Sequence, residues 1–156
     1  MKNPSEIAPI DQVEDGQHAL AEHRAKVFEF ERAMLQAPQV ELRVEHIYGD
    51  GWYARELHIP ADVVVSGSVH KFINSNMLAR GEMMLGTESG PLRVTAPYFV
   101  VSPPGTKRIV HTLTECVWIS LHVTDERDPE KIREIFTTND EQECLAMSEK
   151  TKLEGV

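Results

Sequence analysis

The sequence predicts a mainly β domain, a sandwich or barrel, with helices at both ends. Three observations carry this. Between residues 39 and 124, short apolar runs of period two recur at intervals of roughly 8–12 residues, separated by Gly-, Pro- and Asp-containing turns. No helix-length segment interrupts that stretch, which counts against a parallel α/β sheet. The two flanks instead show period 3–4 patterns and hold all the excess negative charge. At 156 residues, 41% hydrophobic and 26% charged, the chain has ordinary composition for one globular domain.

Residues 1–16, rich in Pro, Asp, Glu and Gly, read as an irregular arm. Residues 17–36 read as a helix, with Leu20, His23, Val27, Phe30 and Met34 in one stripe and Pro38 as the stop. The period changes to two at Val40, where Val40, Leu42, Val44, His46 and Tyr48 alternate with charged residues. Gly49-Asp50-Gly51 turns the chain, and Tyr53–Ile59 returns as the second strand. Short strands then follow at 63–65, 69–72, 76–79, 82–85, 92–95, 98–101, 108–111 and 116–123. Asp128-Pro129-Glu130 is a helix start, with an N-capping Asp and Pro at the first helical position. A second short helix is expected over 140–148, and 150–156 reads as a frayed tail. The chain divides into an N-terminal arm and helix (1–38), a β-barrel (39–124) and a C-terminal helical segment (125–156), all within one structural domain.

The net charge of −9 splits unevenly: −4 over residues 1–45, zero over 46–124 and −5 over 125–156. No extended basic face is visible, so no nucleic-acid polymer is expected as partner. No apolar run reaches the ~20 residues a bilayer needs, so no membrane span is expected. Cys116 and Cys144 fit reduced thiols, and the N-terminus has no apolar signal region, so the expectation is a cytoplasmic protein. The N-terminal stripe and the strand over 40–48 are plausible means of homodimerisation.

Four stretches resemble the cupin superfamily. They are Arg55-Glu56-Leu57-His58-Ile59-Pro60-Ala61, Gly67-Ser68-Val69-His70-Lys71-Phe72, the hairpin Leu78-Ala79-Arg80-Gly81-Glu82, and the turn Ser102-Pro103-Pro104-Gly105-Thr106-Lys107-Arg108. The last, followed by Val117-Trp118-Ile119-Ser120-Leu121-His122, is similar to small single-domain cupin-like proteins encoded by bacteriophages. The resemblance covers roughly residues 40–124. It implies a double-stranded β-helix, or jelly-roll barrel, with a site built from inward-facing strand residues.

The resemblance also implies a metal site, and here the chain departs from it. His70 stands at the first histidine, but the second position is Phe72, Asn74 (or Asn76) replaces the glutamate, and Arg108 replaces the last histidine. Phenylalanine cannot ligate and a guanidinium repels a cation. No metal or other cofactor is therefore expected. A metal set rebuilt from His58, His70, His111 and His122 is the alternative. The leading reading is a small-molecule-binding barrel without a metal, its ligand an anion such as a nucleotide or sugar phosphate. The candidate ligand-binding residues are His70, Asn74, Arg80, Tyr98, Arg108 and His122, with Asn76 and Thr106 as further hydrogen-bonding groups. Arg80, Lys107 and Arg108 also fit as surface charges beside turns, a reading favoured for Arg80 and Lys107. The other readings are a cupin enzyme, either a metal-free isomerase or epimerase or a metal-dependent one, and a structural or protein-interaction scaffold. In the metal-free enzyme His70 is the general base, oriented by a carboxylate for which Glu56, Glu82 and Glu115 are candidates by type.

Overall fold

The computed structural model describes the backbone of residues 10–154 and the side chains of residues 16–147. Helix α1 (Ile10–Met34) begins well before the expected position 17. No proline lies within it, and a single glycine, Gly16, costs only about 1 kcal/mol relative to alanine. The expected arm is thus helical from Ile10 onward, and its first nine residues lie outside the described part. Gln39 closes the C-terminal end: its side-chain amide donates to the carbonyls of Met34 (3.0 Å) and Ala37 (2.8 Å).

Two antiparallel sheets form the body. The five-stranded sheet runs β1 (Arg43–Gly49), β2 (Trp52–Ile59), β10 (Cys116–Val123), β5 (Asn74–Arg80), β8 (Tyr98–Ser102). The four-stranded sheet runs β3 (Val64–Ser66), β9 (Ile109–Thr112), β6 (Glu82–Thr87), β7 (Gly90–Thr95). Sequence-distant strands are neighbours in both, as a jelly roll requires. A third, two-residue ladder joins β4 (Val69–His70) to β11 (Thr137–Thr138). The mainly β fold with flanking helices is therefore as expected. The strand expected over 69–72 stops at His70, leaving Phe72 and Ile73 exposed.

Alternation along each strand builds the core. Leu57, Ile59, Leu78, Met83, Leu85, Val94, Val110 and Cys116 pack together between the sheets. Burying each of the large side chains contributes roughly 1.5–3 kcal/mol. The β5–β6 hairpin turns at Gly81, whose φ is +91°. A Cβ there would lie 2.3 Å from the Glu115 carbonyl oxygen, so only glycine fits.

The helices dock on this body. The face of α1 that is buried is rotated from the expected stripe: Leu20, Arg24, Val27 and Phe28 are inside, while Phe30 is half exposed. Arg24 reaches the carbonyls of Gly105 (2.9 Å) and Cys144 (3.2 Å). Lys107 is completely buried, correcting the surface reading. Its ammonium donates to Glu31 of α1 (3.1 Å) and the Gly67 carbonyl (2.8 Å), and sits 4.5 Å from the Phe28 ring centre. Asp128 caps α2 (Pro129–Phe136) through the Glu130 N–H (3.0 Å). Asp140 does the same for α3 (Glu141–Glu154), which continues through most of the expected tail; residues 155 and 156 lie outside the described part. Cys116 and Cys144 are buried and not joined by a disulfide. Among the described residues no helix is long and apolar enough to cross a membrane.

Candidate functional site

The inner face of the five-stranded sheet is apolar at one end and polar at the other. Strand β2 points Tyr53, Arg55, Leu57 and Ile59 inward, since side chains alternate with period two. Registers align the neighbours: Leu57, Trp118, Leu78 and Tyr98 form one cross-strand row. The next row is Arg55, Ser120, Asn76 and Val100. Beyond it lie Tyr53 opposite His122, and Asn74 opposite Ser102. Chemistry therefore changes along the barrel, from a hydrocarbon row to two rows of hydrogen-bonding and charged groups.

Two further groups enter this polar end. Arg108, at the head of β9, donates from Nη2 to Ser102 Oγ (2.7 Å). His70 of β4 comes in from the short ladder, its ring centre 5.8 Å from that of His122. Phe136, at the end of α2, packs on His122 at 4.6 Å and meets Phe72 edge-on at 5.9 Å. The backbone fixes this closure: Thr137 pairs with His70, and the Lys71 N–H donates to the Phe136 carbonyl at 2.9 Å. Ser120 donates to Asn76 Oδ1 (2.7 Å), which satisfies that buried pair.

The electrostatics are one-sided. Arg55 and Arg108 are largely buried, and burial pulls both guanidinium pKa values down. For Arg108, Glu88 and Tyr98 partly oppose that pull. Among the described residues no carboxylate lies within 4 Å of either guanidinium, whereas the buried Lys107 is paired with Glu31. Burial also holds His70 at about 4, with His122, Arg108 and Arg55 adding to the effect. His122 is held at about 4 for the same first reason, with Arg55 contributing. Both imidazoles are neutral at neutral pH. Burial raises the Tyr53 hydroxyl pKa, and that hydroxyl lies 2.7 Å from His46 Nδ1. The Asn74 side chain is 3% exposed and neither its amide nitrogen nor its oxygen makes a hydrogen bond within the protein. Arg108 Nε is likewise buried without a partner.

His70, Asn74, Arg108 and His122 are thus brought together. Tyr98 lies on the same face, one row into the apolar half, near enough to act on Arg108. Arg80 does not belong: it is exposed at the end of β5 and pairs with Glu115. His58 and His111 are outside as well. His58 faces away from the core with Glu56 (2.7 Å) and Arg43 (3.1 Å), and His111 pairs with Asp62 at 2.8 Å. The metal set His58, His70, His111 and His122 is therefore overturned, because adjacent strand positions alternate faces and only His70 and His122 point inward. Among the described residues no three His, Cys, Asp or Glu side chains converge as a cation site. Two guanidiniums in the same space disfavour a divalent metal further. Of the carboxylates considered as orienting groups, Glu56 is outside with His58, Glu82 pairs with Arg93, and Glu115 pairs with Arg80.

Sequence reasoning missed Arg55, Tyr53, Ser102, Ser120 and Phe136. A signal existed for Arg55, which shares a strand face with Leu57 and Ile59 and so points where they point. Ser120 follows from His122 and Trp118 by the same parity. Phe136 had no signal, because its place depends on where α2 docks.

No family model and no curated protein matches the sequence. In structure the chain is similar to KdgF from Halomonas sp., at 14% identity over 60% of this chain and 88% of that one, with a TM-score of 0.48. It is similar to a cupin superfamily protein from Desulfitobacterium hafniense at 8% identity, 57% and 83% coverage and a TM-score of 0.46. It is also similar to the Cupin_2 domain of an XRE family transcriptional regulator from Enterobacter cloacae, at 10% identity, 55% and 98% coverage and a TM-score of 0.45. At these values nothing about ligand or chemistry follows from the likeness.

Proposed function

We propose that the polar end of this cupin-like barrel binds a small anionic molecule, such as a nucleotide or sugar phosphate, without a resident metal. The observation that carries the reading is the pair Arg55 and Arg108, two largely buried guanidiniums with no carboxylate within 4 Å among the described residues. An uncompensated buried charge is expensive, and the arrangement makes sense when an anion supplies the missing charge. Guanidinium is also the group best matched to carboxylate and phosphate oxygens, which it holds by paired N–H donors. The imidazoles of His70 and His122 add neutral hydrogen-bonding groups, and Asn74 sits beneath them. The enzyme reading is less well supported: among the described residues no carboxylate lies within hydrogen-bond distance of either imidazole, so nothing orients a general base.

Thermal unfolding with and without a panel of nucleotides and sugar phosphates tests this. A ligand at about 100 times its Kd adds roughly 2.7 kcal/mol of stability, a midpoint rise of several degrees. Arg108→Met is expected to abolish that rise while leaving the ligand-free midpoint unchanged or higher, because it removes an unpaired buried charge. A rise that persists in Arg108→Met, or no rise with any anion, rejects the proposal. Stoichiometric transition metal in the purified protein rejects its metal-free part.

A further inference from the structure

We infer that the ligand of this site is an anion that also carries a hydroxyl group close to its charge, a hydroxy acid or the phosphate ester of a polyol. The inference rests on the anion-binding reading above and sharpens it. Its basis is Asn74, which is 3% exposed and leaves both ends of its amide without a hydrogen bond in the protein. A carboxamide has one donating and one accepting end, and flipping it exchanges the two without removing either. Oxygens of a bare anion only accept. They match the Arg108 Nε–H, also buried without a partner, and one end of Asn74. The other end, the amide oxygen, needs an O–H or N–H donor.

The neighbours do not supply that donor. Ser102, opposite Asn74, accepts from Arg108 and its hydroxyl makes no hydrogen bond to the Asn74 amide, and Ser120 gives its proton to Asn76. Asn76 differs from Asn74 for this reason: it has the same strand parity, but the barrel satisfies it from within. His122, one position beyond the Leu121–Ser75 pair on the adjoining strand, and His70 are the partly exposed groups on this side of Asn74. A hydroxyl on the carbon next to the anionic group presents a donor and an acceptor side by side, which is what Asn74 and Arg108 Nε together require. A buried site built for a hydroxyl discriminates strongly against analogues lacking one, because its own polar groups are then left unpaired.

Two matched series on the full chain, followed by isothermal titration calorimetry, test this. In the carboxylate series succinate, malate and tartrate differ by successive hydroxyls. In the phosphate series ethyl phosphate is compared with glycerol phosphate. At least roughly tenfold tighter binding is expected for the hydroxylated member in whichever series binds, and the series that binds identifies the anionic group. Asn74→Leu is expected to reduce that ratio to near one and also to weaken the plain anion, which loses the amide N–H donor, so the ratio and not the absolute affinity is the readout. Equal affinities within a series in the wild-type chain overturn the inference and leave the anion site standing; this comparison needs no variant. A ratio that survives in Asn74→Leu also overturns it. Absence of binding by every member overturns the anion site and the inference with it.

Discussion

Lys107 has no exposed surface, yet its charge is met on three sides, by Glu31, by the Gly67 carbonyl and by the Phe28 ring. Removing one partner of such a pair leaves the other uncompensated. Lys107→Met is therefore expected to destabilise by about 3 kcal/mol in urea unfolding, with Lys107→Met/Glu31→Leu recovering a large part of the loss. The sequence could not show this, because Lys107 stands in a turn-like Pro-Pro-Gly-Thr segment and is buried only by a helix some seventy residues earlier in the chain. His70 and His122 make a second residue-level prediction. Unfolded, each titrates near 6.5; folded, each is held at about 4. Between those values the unfolded chain binds more protons, so stability falls as pH drops from 6.5 toward 4. For His70 alone the loss is of the order of 3 kcal/mol at full protonation, using about 1.4 kcal/mol per pH unit. Urea midpoints at pH 7 and pH 4.5 measure it, and His70→Gln is expected to reduce the difference, with His122 keeping its own share. A wild-type profile flat over that range contradicts the burial described for the two rings.

At the scale of elements, what the sequence shows is parity. Tyr53, Arg55, Leu57 and Ile59 must share a face, as must Asn74, Asn76 and Leu78, so the division of the barrel into apolar and polar ends was legible in the strands themselves. Sequence cannot show which strands are neighbours, but His58 was misassigned against its own parity, since Leu57 and Ile59 on either side of it point inward. His58 and His122 sit on β2 and β10, which pair with each other, yet Tyr53 rather than His58 lies opposite His122. The hairpins test the element-level account. Gly81 combines positive φ with a Cβ position occupied by the Glu115 carbonyl and Cys116. Gly81→Ala is therefore expected to lower stability by about 2 kcal/mol or more, because backbone atoms and not flexible side chains must move. By contrast, Gly51→Ala, with φ +77° but open space around the added carbon, is expected to lose only about 1 kcal/mol. Equal losses at both glycines, measured by thermal or urea unfolding, would contradict the close approach at Gly81.

For the whole molecule, the uneven charge bears on assembly. The −9 resides in the flanks, while the outer face of the five-stranded sheet is apolar over much of its area. Phe99 and Val101 of β8 are 57% and 56% exposed, and register joins them through Met77, Ser75, Ile119 and Leu121 to Ala54 and Ile47. These side chains form a largely apolar row running across all five strands of the sheet. At its charged corner Arg43 pairs with Glu45, and Glu56 is within hydrogen-bond distance of His58. A second copy of the chain is the expected occupant, because an apolar face complements itself and most of the excess acids lie elsewhere, in the flanks. The helix stripe, expected to serve, is unavailable: α1 already spends Leu20, Val27 and Phe28 on its own barrel. Truncation of residues 1–38 would consequently remove Arg24 and Glu31 from their buried partners and report on folding instead of assembly. The informative variant is Phe99→Glu with Val101→Lys. Light scattering is expected to give a dimer of the 17.6 kDa chain for the wild type and a monomer for the double variant, with unfolding midpoints that differ little when extrapolated to low concentration. Added salt is expected to strengthen the dimer by screening the repulsion between two copies that each carry a net charge of −9. A wild-type monomer at high concentration, or a double variant that remains dimeric, would show that this face is left to solvent.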